Sequence, residues 1–152
     1  MTNYANNNLE KPKYLFDGSP KMLDIIEPRQ AHDANNNPEN EDYAIFLTSS
    51  FLIASAYAFK DTIKQLSDGL KWDFDIAYDS KNNTINIKMD NVIINNDIKG
   101  YIYVFPFSEE YEHHGKSIQY KCHHHLKPID IIEIKFSDFK KYYSINERTK
   151  KR

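Results

Sequence analysis

Cysteine is almost missing from this chain. Cys122 is the single one in 152 residues, so no disulfide can close within it, and the expected setting is reducing, intracellular and cytoplasmic. Glycine is scarce as well. Its four positions, 18, 69, 100 and 115, are scattered, which excludes a glycine-rich phosphate cradle. The patterns Gly-x-Gly-x-x-Gly, His-Glu-x-x-His and Gly-x-Ser-x-Gly do not occur. No apolar run is long enough to span a bilayer. The opening stretch, Met1 to Leu9, is polar and Asn-rich, unlike a secretory signal. Neither sign of charge dominates: the net charge of -2 gives no general pull toward nucleic acid or an anionic membrane.

What the chain has in quantity is aromatic side chains, 11 Tyr and 9 Phe, within an apolar content of 40%. At this length that composition predicts one domain with a real core. Residues 1–12 are expected to be disordered, because Asn6-Asn7-Asn8 has nothing to bury. Residues 13–16 read as a strand running into a Gly18-Ser19-Pro20 turn, where glycine permits close approach of a ligand and Pro20 biases Ser19 toward an extended backbone. The segment Arg29 to Asp42 reads as an exposed loop, its acidic part, 33–42, either a lid over a ligand or a loop with no role. Tyr43 to Thr48 is a buried strand.

A helix follows, capped by Ser49 or Ser50 and closed by Gly69. Leu52, Ala56, Phe59, Ile63 and Leu66 recur at four- and three-residue steps and form its core stripe. Tyr57 lies away from that stripe, beside Ile53, Lys60 and Lys64, facing solvent, a cleft or a neighbouring element. The period then changes to two. Trp72, Phe74, Ile76 and Tyr78 alternate with Asp73 and Asp75, Asp79 to Asn83 turns the chain, and Ile85, Ile87 and Met89 return. This is a hairpin with one wet face. Further strands are expected at Gly100 to Phe105, Ser117 to Cys122 and Ile129 to Phe136, with Ser108 to Lys116 a charged loop and a short helix from Ser137 to Tyr143. The fold class is α+β, mostly antiparallel, with a single domain over 13–145 and a basic tail over 146–152.

The run Cys122-His123-His124-His125, with His113 and His114, is the obvious candidate for a metal. Consecutive strand residues point to opposite faces, so only Cys122 and His124, with His113 or His114, share a side. Their spacing matches no standard zinc pattern, and a polar surface loop with no metal is the expectation.

Two separated stretches together carry a resemblance. Leu15-Phe16-Asp17-Gly18-Ser19 resembles the first motif of the ADP-ribosyltransferase superfamily, a strand ending in His-Gly-Ser or His-Gly-Thr. Ile45-Phe46-Leu47-Thr48-Ser49-Ser50, continuing to Ala54-Ser55-Ala56-Tyr57, is similar to the second motif of its poly(ADP-ribose) polymerase-like branch. Small phage and bacterial members offer further likenesses in Glu27-Pro28, Gly100-Tyr101-Ile102-Tyr103-Val104 and Lys127-Pro128-Ile129. The resemblance spans roughly residues 13 to 145.

It implies a split pair of mostly antiparallel sheets, with one main helix after the second strand and NAD in the cleft as substrate. Backbone groups of Gly18, helped by the Ser19 hydroxyl, would hold the nicotinamide amide, and Phe46 and Tyr57 would sandwich the ring. Asp17 stands where the family has histidine, Gln119 falls near the place of the catalytic glutamate, and Phe46 replaces a tyrosine. Glu109, Glu110 and Glu112 are the carboxylates near enough in sequence to substitute for it. Two readings follow: a transferase of ADP-ribose onto a protein or nucleic acid, and a catalytically silent member that binds a nucleotide or a partner protein. A third, unrelated to the resemblance, is a metal-binding or interaction domain.

Overall fold

The computed structural model describes residues 3–23, 25–30, 43–67, 71–115 and 117–148. Its strands are β1 (Tyr14–Ser19), β2 (Arg29–Gln30), β3 (Tyr43–Thr48), β4 (Asp73–Asp79), β5 (Thr84–Val92), β6 (Lys99–Pro106), β7 (Glu112–His113), β8 (Gln119–Cys122), β9 (Asp130–Lys135) and β10 (Ser144–Glu147). The main helix is α1 (Phe51–Leu66), and α2 (Phe136–Phe139) is a single turn. Seven strands form one sheet in the order β7-β8-β3-β1-β6-β9, with β2 added on β3. The others form a three-stranded sheet, β10-β5-β4. Pairing is antiparallel except for β10, which lies parallel to β5. This is the expected α+β architecture with one main helix, and β3 precedes that helix because the two-residue β2 comes between.

Helix α1 is packed between the two sheets. Ser50 is its cap: the hydroxyl accepts from the Ile53 N–H at 3.1 Å. The expected stripe holds at Ala56, Phe59 and Ile63, all fully buried, but Leu66 is 39% exposed. The opposite side is buried too. Ala54 and Ala58 lie against β1 and β6 where Gly18 and Gly100 stand. A side chain at Gly18 would run into the Ala54 carbonyl oxygen and come within 2.8 Å of the Ala58 nitrogen. Two small-residue pairs therefore set how closely helix and sheet approach. One core, with Phe16, Phe59, Ile102, Ile87, Met89 and Phe136, surrounds the helix. A second, with Leu15, Ile45, Leu47, Tyr103, Phe105 and Tyr120, covers the far face of the large sheet.

Several expectations are corrected. Strand β1 does not stop at residue 16 but continues through Gly18 and Ser19, so the turn begins at Pro20. Residues 3–12 are not loose: Asn6 donates to the Tyr14 and Ser49 carbonyls, both at 2.8 Å, and the Tyr4 ring packs edge-on against Tyr14. The charged loop at 108–116 contains β7, and Asn146 and Glu147, assigned to the tail, belong to β10. The short helix is capped at Lys135 rather than Ser137. The Gly69 stop and the 33–42 lid fall outside the described residues.

The C-terminal turn is tied to α1 by a hydrogen bond between the Ser55 and Tyr143 hydroxyls. Burial pushes the Tyr143 hydroxyl above its ordinary value of 10.0, with the Ser55 bond pulling part of the way back. The folded state thus holds this proton more tightly than the unfolded chain does. The stability it contributes is whole below about pH 10 and is lost as pH rises further. Denaturation midpoints taken from about pH 8 to 11 should fall above pH 10, and the fall should be shallower in Tyr143→Phe.

Candidate functional site

The site is a break in one strand edge. In an antiparallel ladder, successive residues point their backbone groups alternately to the two neighbours. The Phe107 N–H bonds the Lys13 carbonyl at 2.9 Å, in the same register that pairs Leu15 with Phe105 and Asp17 with Tyr103. Odd-numbered residues of β1 therefore face β6, and even-numbered ones face away. Tyr14 has both backbone groups met by the Asn6 amide. Phe16 pairs with Thr48 of β3. Gly18 is next, and continuing the register would set it opposite Phe46, but the ladder ends at Phe16.

The chain leaves the β3 edge there and returns to it at β2, where Arg29 pairs with Ala44. Thirteen positions separate Phe16 from Arg29, while four separate Thr48 from Ala44, so nine residues loop out as a strap. Gly18 consequently has no ladder partner on the β3 side.

A cavity of about 320 Å³ opens at this gap. Strand β1 supplies Asp17 and Ser19, β3 supplies Ile45 and Phe46, and the strap supplies Leu23, Ile25, Ile26, Glu27 and Pro28. The strap is pinned at both ends. Tyr103, fully buried in β6, donates its hydroxyl to the Lys21 carbonyl and accepts from the Leu23 N–H at 2.7 Å. Ile26 and Leu126 exchange backbone bonds, each of 2.8 Å. Ser19 Oγ accepts from the Lys21 N–H at 3.1 Å. Burial raises the Tyr103 hydroxyl's pKa, its bonds with Leu23 and Ser19 pull against this, and the nearby Asp17 charge adds to the rise. Tyr103 thus stays a neutral donor at the base of the strap.

Asp17, Ser19 and Phe46 line one cavity. Tyr57 is placed elsewhere: 46% exposed on α1, it sits with its ring centre 6.2 Å from that of Phe74 in β4. The Lys60 ammonium stands 5.8 Å from the Tyr57 ring centre. The Phe46 ring has the Lys121 ammonium 5.7 Å from its own centre, so the two aromatics keep different neighbours.

Gln119 is on β8, opposite Thr48. It shares a water-sized depression with Glu112, His114, Ser117 and Lys121. Period-two alternation puts its side chain on the same sheet face as Lys121 and Phe46. No carboxylate stands at that position. The nearest in the ladder is Glu112, opposite Lys121, its oxygens 3.5 Å from His114 Nε2 and 3.3 Å from His123 Nε2.

The histidine run is dispersed. His113 stacks on Tyr120 with ring centres 4.2 Å apart, and Cys122, buried with its thiol pKa raised by that burial, donates to the His124 carbonyl. Among the described residues no three His, Cys, Asp or Glu side chains are arranged to hold a metal ion. No described helix is long and apolar enough to cross a membrane.

Two residues of the site escaped the sequence reading. Tyr103 and Glu27 were noted only within the resembling stretches Gly100 to Val104 and Glu27-Pro28, with no site role given to either. No protein-family model, curated protein or solved structure matches this chain.

Proposed function

We propose that the gap between β1 and β3 binds the nicotinamide end of NAD or a related nucleotide, in a catalytically silent ADP-ribosyltransferase-like module. One observation supports this: the β1–β3 ladder stops at Phe16, before Gly18, and a cavity lined by Asp17, Ser19 and Phe46 lies beside it. A primary carboxamide brings one acceptor and two donors to such a strand edge, on a flat ring that stacks on an aromatic face. The cavity, at about 320 Å³, is within the range of small-molecule sites and is mostly apolar with a few polar groups.

The silence follows from chemistry. Loss of nicotinamide from NAD builds positive charge on the ribose, and a fixed carboxylate supplies the largest stabilising effect. Gln119 at the corresponding strand position carries no charge. The transferase reading keeps one support, the carboxylate of Glu112 in the same depression as Gln119.

Calorimetric titration of nicotinamide and NAD into the protein tests the reading. Phe46→Ala should weaken both at least tenfold, since aromatic stacking on a base is worth about 1–3 kcal/mol. Tyr57→Ala, against Phe74, should change either by less than about threefold on the same scale. Absence of binding by both ligands at millimolar concentration overturns it.

A further inference from the structure

Tyr103 contributes its ring to the core and its hydroxyl to the strap. Along β6, Tyr101, Tyr103 and Phe105 face the second core, while Ile102 and Val104 face α1. Phe105 stands opposite Leu15 in an apolar pair. Two residues back along the strand, Tyr103 stands opposite Asp17, where the cavity wall begins. A phenylalanine would fill the same ring space there. The hydroxyl adds two bonds to the strap, donating to the Lys21 carbonyl and accepting from the Leu23 N–H at 2.7 Å. The Ser19 side chain bonds the same hydroxyl, and Ser19 Oγ accepts from the Lys21 N–H at 3.1 Å.

The side chains held in this way are loosely packed. Met22, Leu23 and Ile25 are 61%, 44% and 50% exposed, yet Leu23 and Ile25 also wall the cavity. So little apolar burial gives them a weak hold. Ile26 differs: it belongs to the second core and exchanges two main-chain bonds with Leu126. The strap has a firm end at Ile26 and an end at Lys21 and Leu23 that rests on a hydroxyl. Ile45, which lines the same cavity, is only 2% exposed.

We propose that Tyr103 is a positioning residue of this site, a latch whose hydroxyl keeps Leu23 and Ile25 in the cavity wall. When the hydroxyl releases Lys21 and Leu23, those side chains swing about the Ile26–Leu126 bridge and the cavity opens to solvent. Segments with few buried apolar contacts open locally at far less cost than global unfolding. Entry is then controlled from β6, by a residue absent from the described cavity lining. The latch acts on whatever the cavity holds, so it does not depend on the nicotinamide reading.

The test needs no ligand. Ile45→Cys puts a thiol in the cavity wall, and Cys122, opposite Ile45 on β8 and buried, is the internal reference. Alkylation by iodoacetamide is followed at each thiol by peptide mass, with Tyr103 present and with Tyr103→Phe. Global unfolding exposes both thiols, whereas release of the latch exposes the introduced one alone. Tyr103→Phe should speed alkylation at position 45 about tenfold, the scale of one net hydrogen bond, and leave Cys122 unchanged. Amide hydrogen exchange in Tyr103→Phe should quicken at Leu23 by a similar factor, while Ile26 and Leu126 keep their protection. Equal acceleration at both thiols, or acceleration at neither, overturns the latch. Loss of Ile26 protection together with Leu23 overturns it too, since the strap would then peel off whole. Phe46→Cys, in the same wall, takes the place of Ile45→Cys if that variant fails to fold.

Discussion

Replacing Gly18 by alanine should cost the protein at least about 3 kcal/mol of stability, whatever the gap binds. Overpacking a core costs about 1–3 kcal/mol when side chains can shift. Here the obstacles are backbone atoms, the Ala54 carbonyl and the Ala58 nitrogen, in the middle of α1. Relief requires moving the whole helix away from β1 and β6, and α1 is held from behind by Ile87, Met89 and Phe136. At about 2–4 °C per kcal/mol for a chain of this size, the melting temperature should fall by roughly 10 °C. Gly115→Ala is the control. It sits at φ +58 with nothing within 4 Å, so only backbone strain of about 1–2 kcal/mol applies. Urea midpoints for the two variants separate the contributions, and a Gly18→Ala protein as stable as Gly115→Ala would refute the packing account. Substitution at Gly18 is accordingly a poor probe of ligand binding, and Phe46→Ala and Asp17→Asn serve better.

Gly18 also marks how far the sequence could be read. A glycine at the end of an apolar run announces a close approach, and that much is right. Whether the approaching group is a ligand or a helix depends on tertiary placement, and the structure shows the helix. The Cβ direction is filled by α1. Long periodic elements were legible because one face of each is buried: α1 through Ala56, Phe59 and Ile63, the β4–β5 hairpin through Phe74, Ile76, Ile87 and Met89. The short strands were not. β7 and β10 span two and four residues and exist through their partners β8 and β5. The looped-out strap was invisible for the same reason, since register between distant segments leaves no local pattern. Its pinning by Tyr103 rests on a hydroxyl bonding to Lys21 and Leu23, some eighty positions away. Tyr57 was correctly placed off the core stripe, but its partner Phe74 could not be inferred from periodicity within one helix.

On the function proposed above, the double substitution Asp17→His, Gln119→Glu should make the protein hydrolyse NAD. In that reaction the bond from ribose C1′ to the nicotinamide nitrogen breaks, and its electron pair leaves with nicotinamide. A water oxygen bonds C1′ and releases one proton. Each change answers one deficit. Histidine at 17 restores the residue that the resemblance implies there and can bond a ribose hydroxyl. A glutamate at 119 places negative charge on the sheet face that carries Phe46 and Lys121. Single electrostatic groups of this kind are worth about 10²–10³ in rate. Nicotinamide release by the double variant should therefore exceed the unmodified protein by at least a hundredfold on the same reckoning, with Gln119→Glu alone giving less because NAD still meets Asp17. If the unmodified protein already hydrolyses NAD, the charge comes from Glu112, the carboxylate that shares the depression with Gln119. Glu112→Gln must then abolish that turnover without weakening nicotinamide binding, because Glu112 is not part of the wall around Gly18 and Phe46.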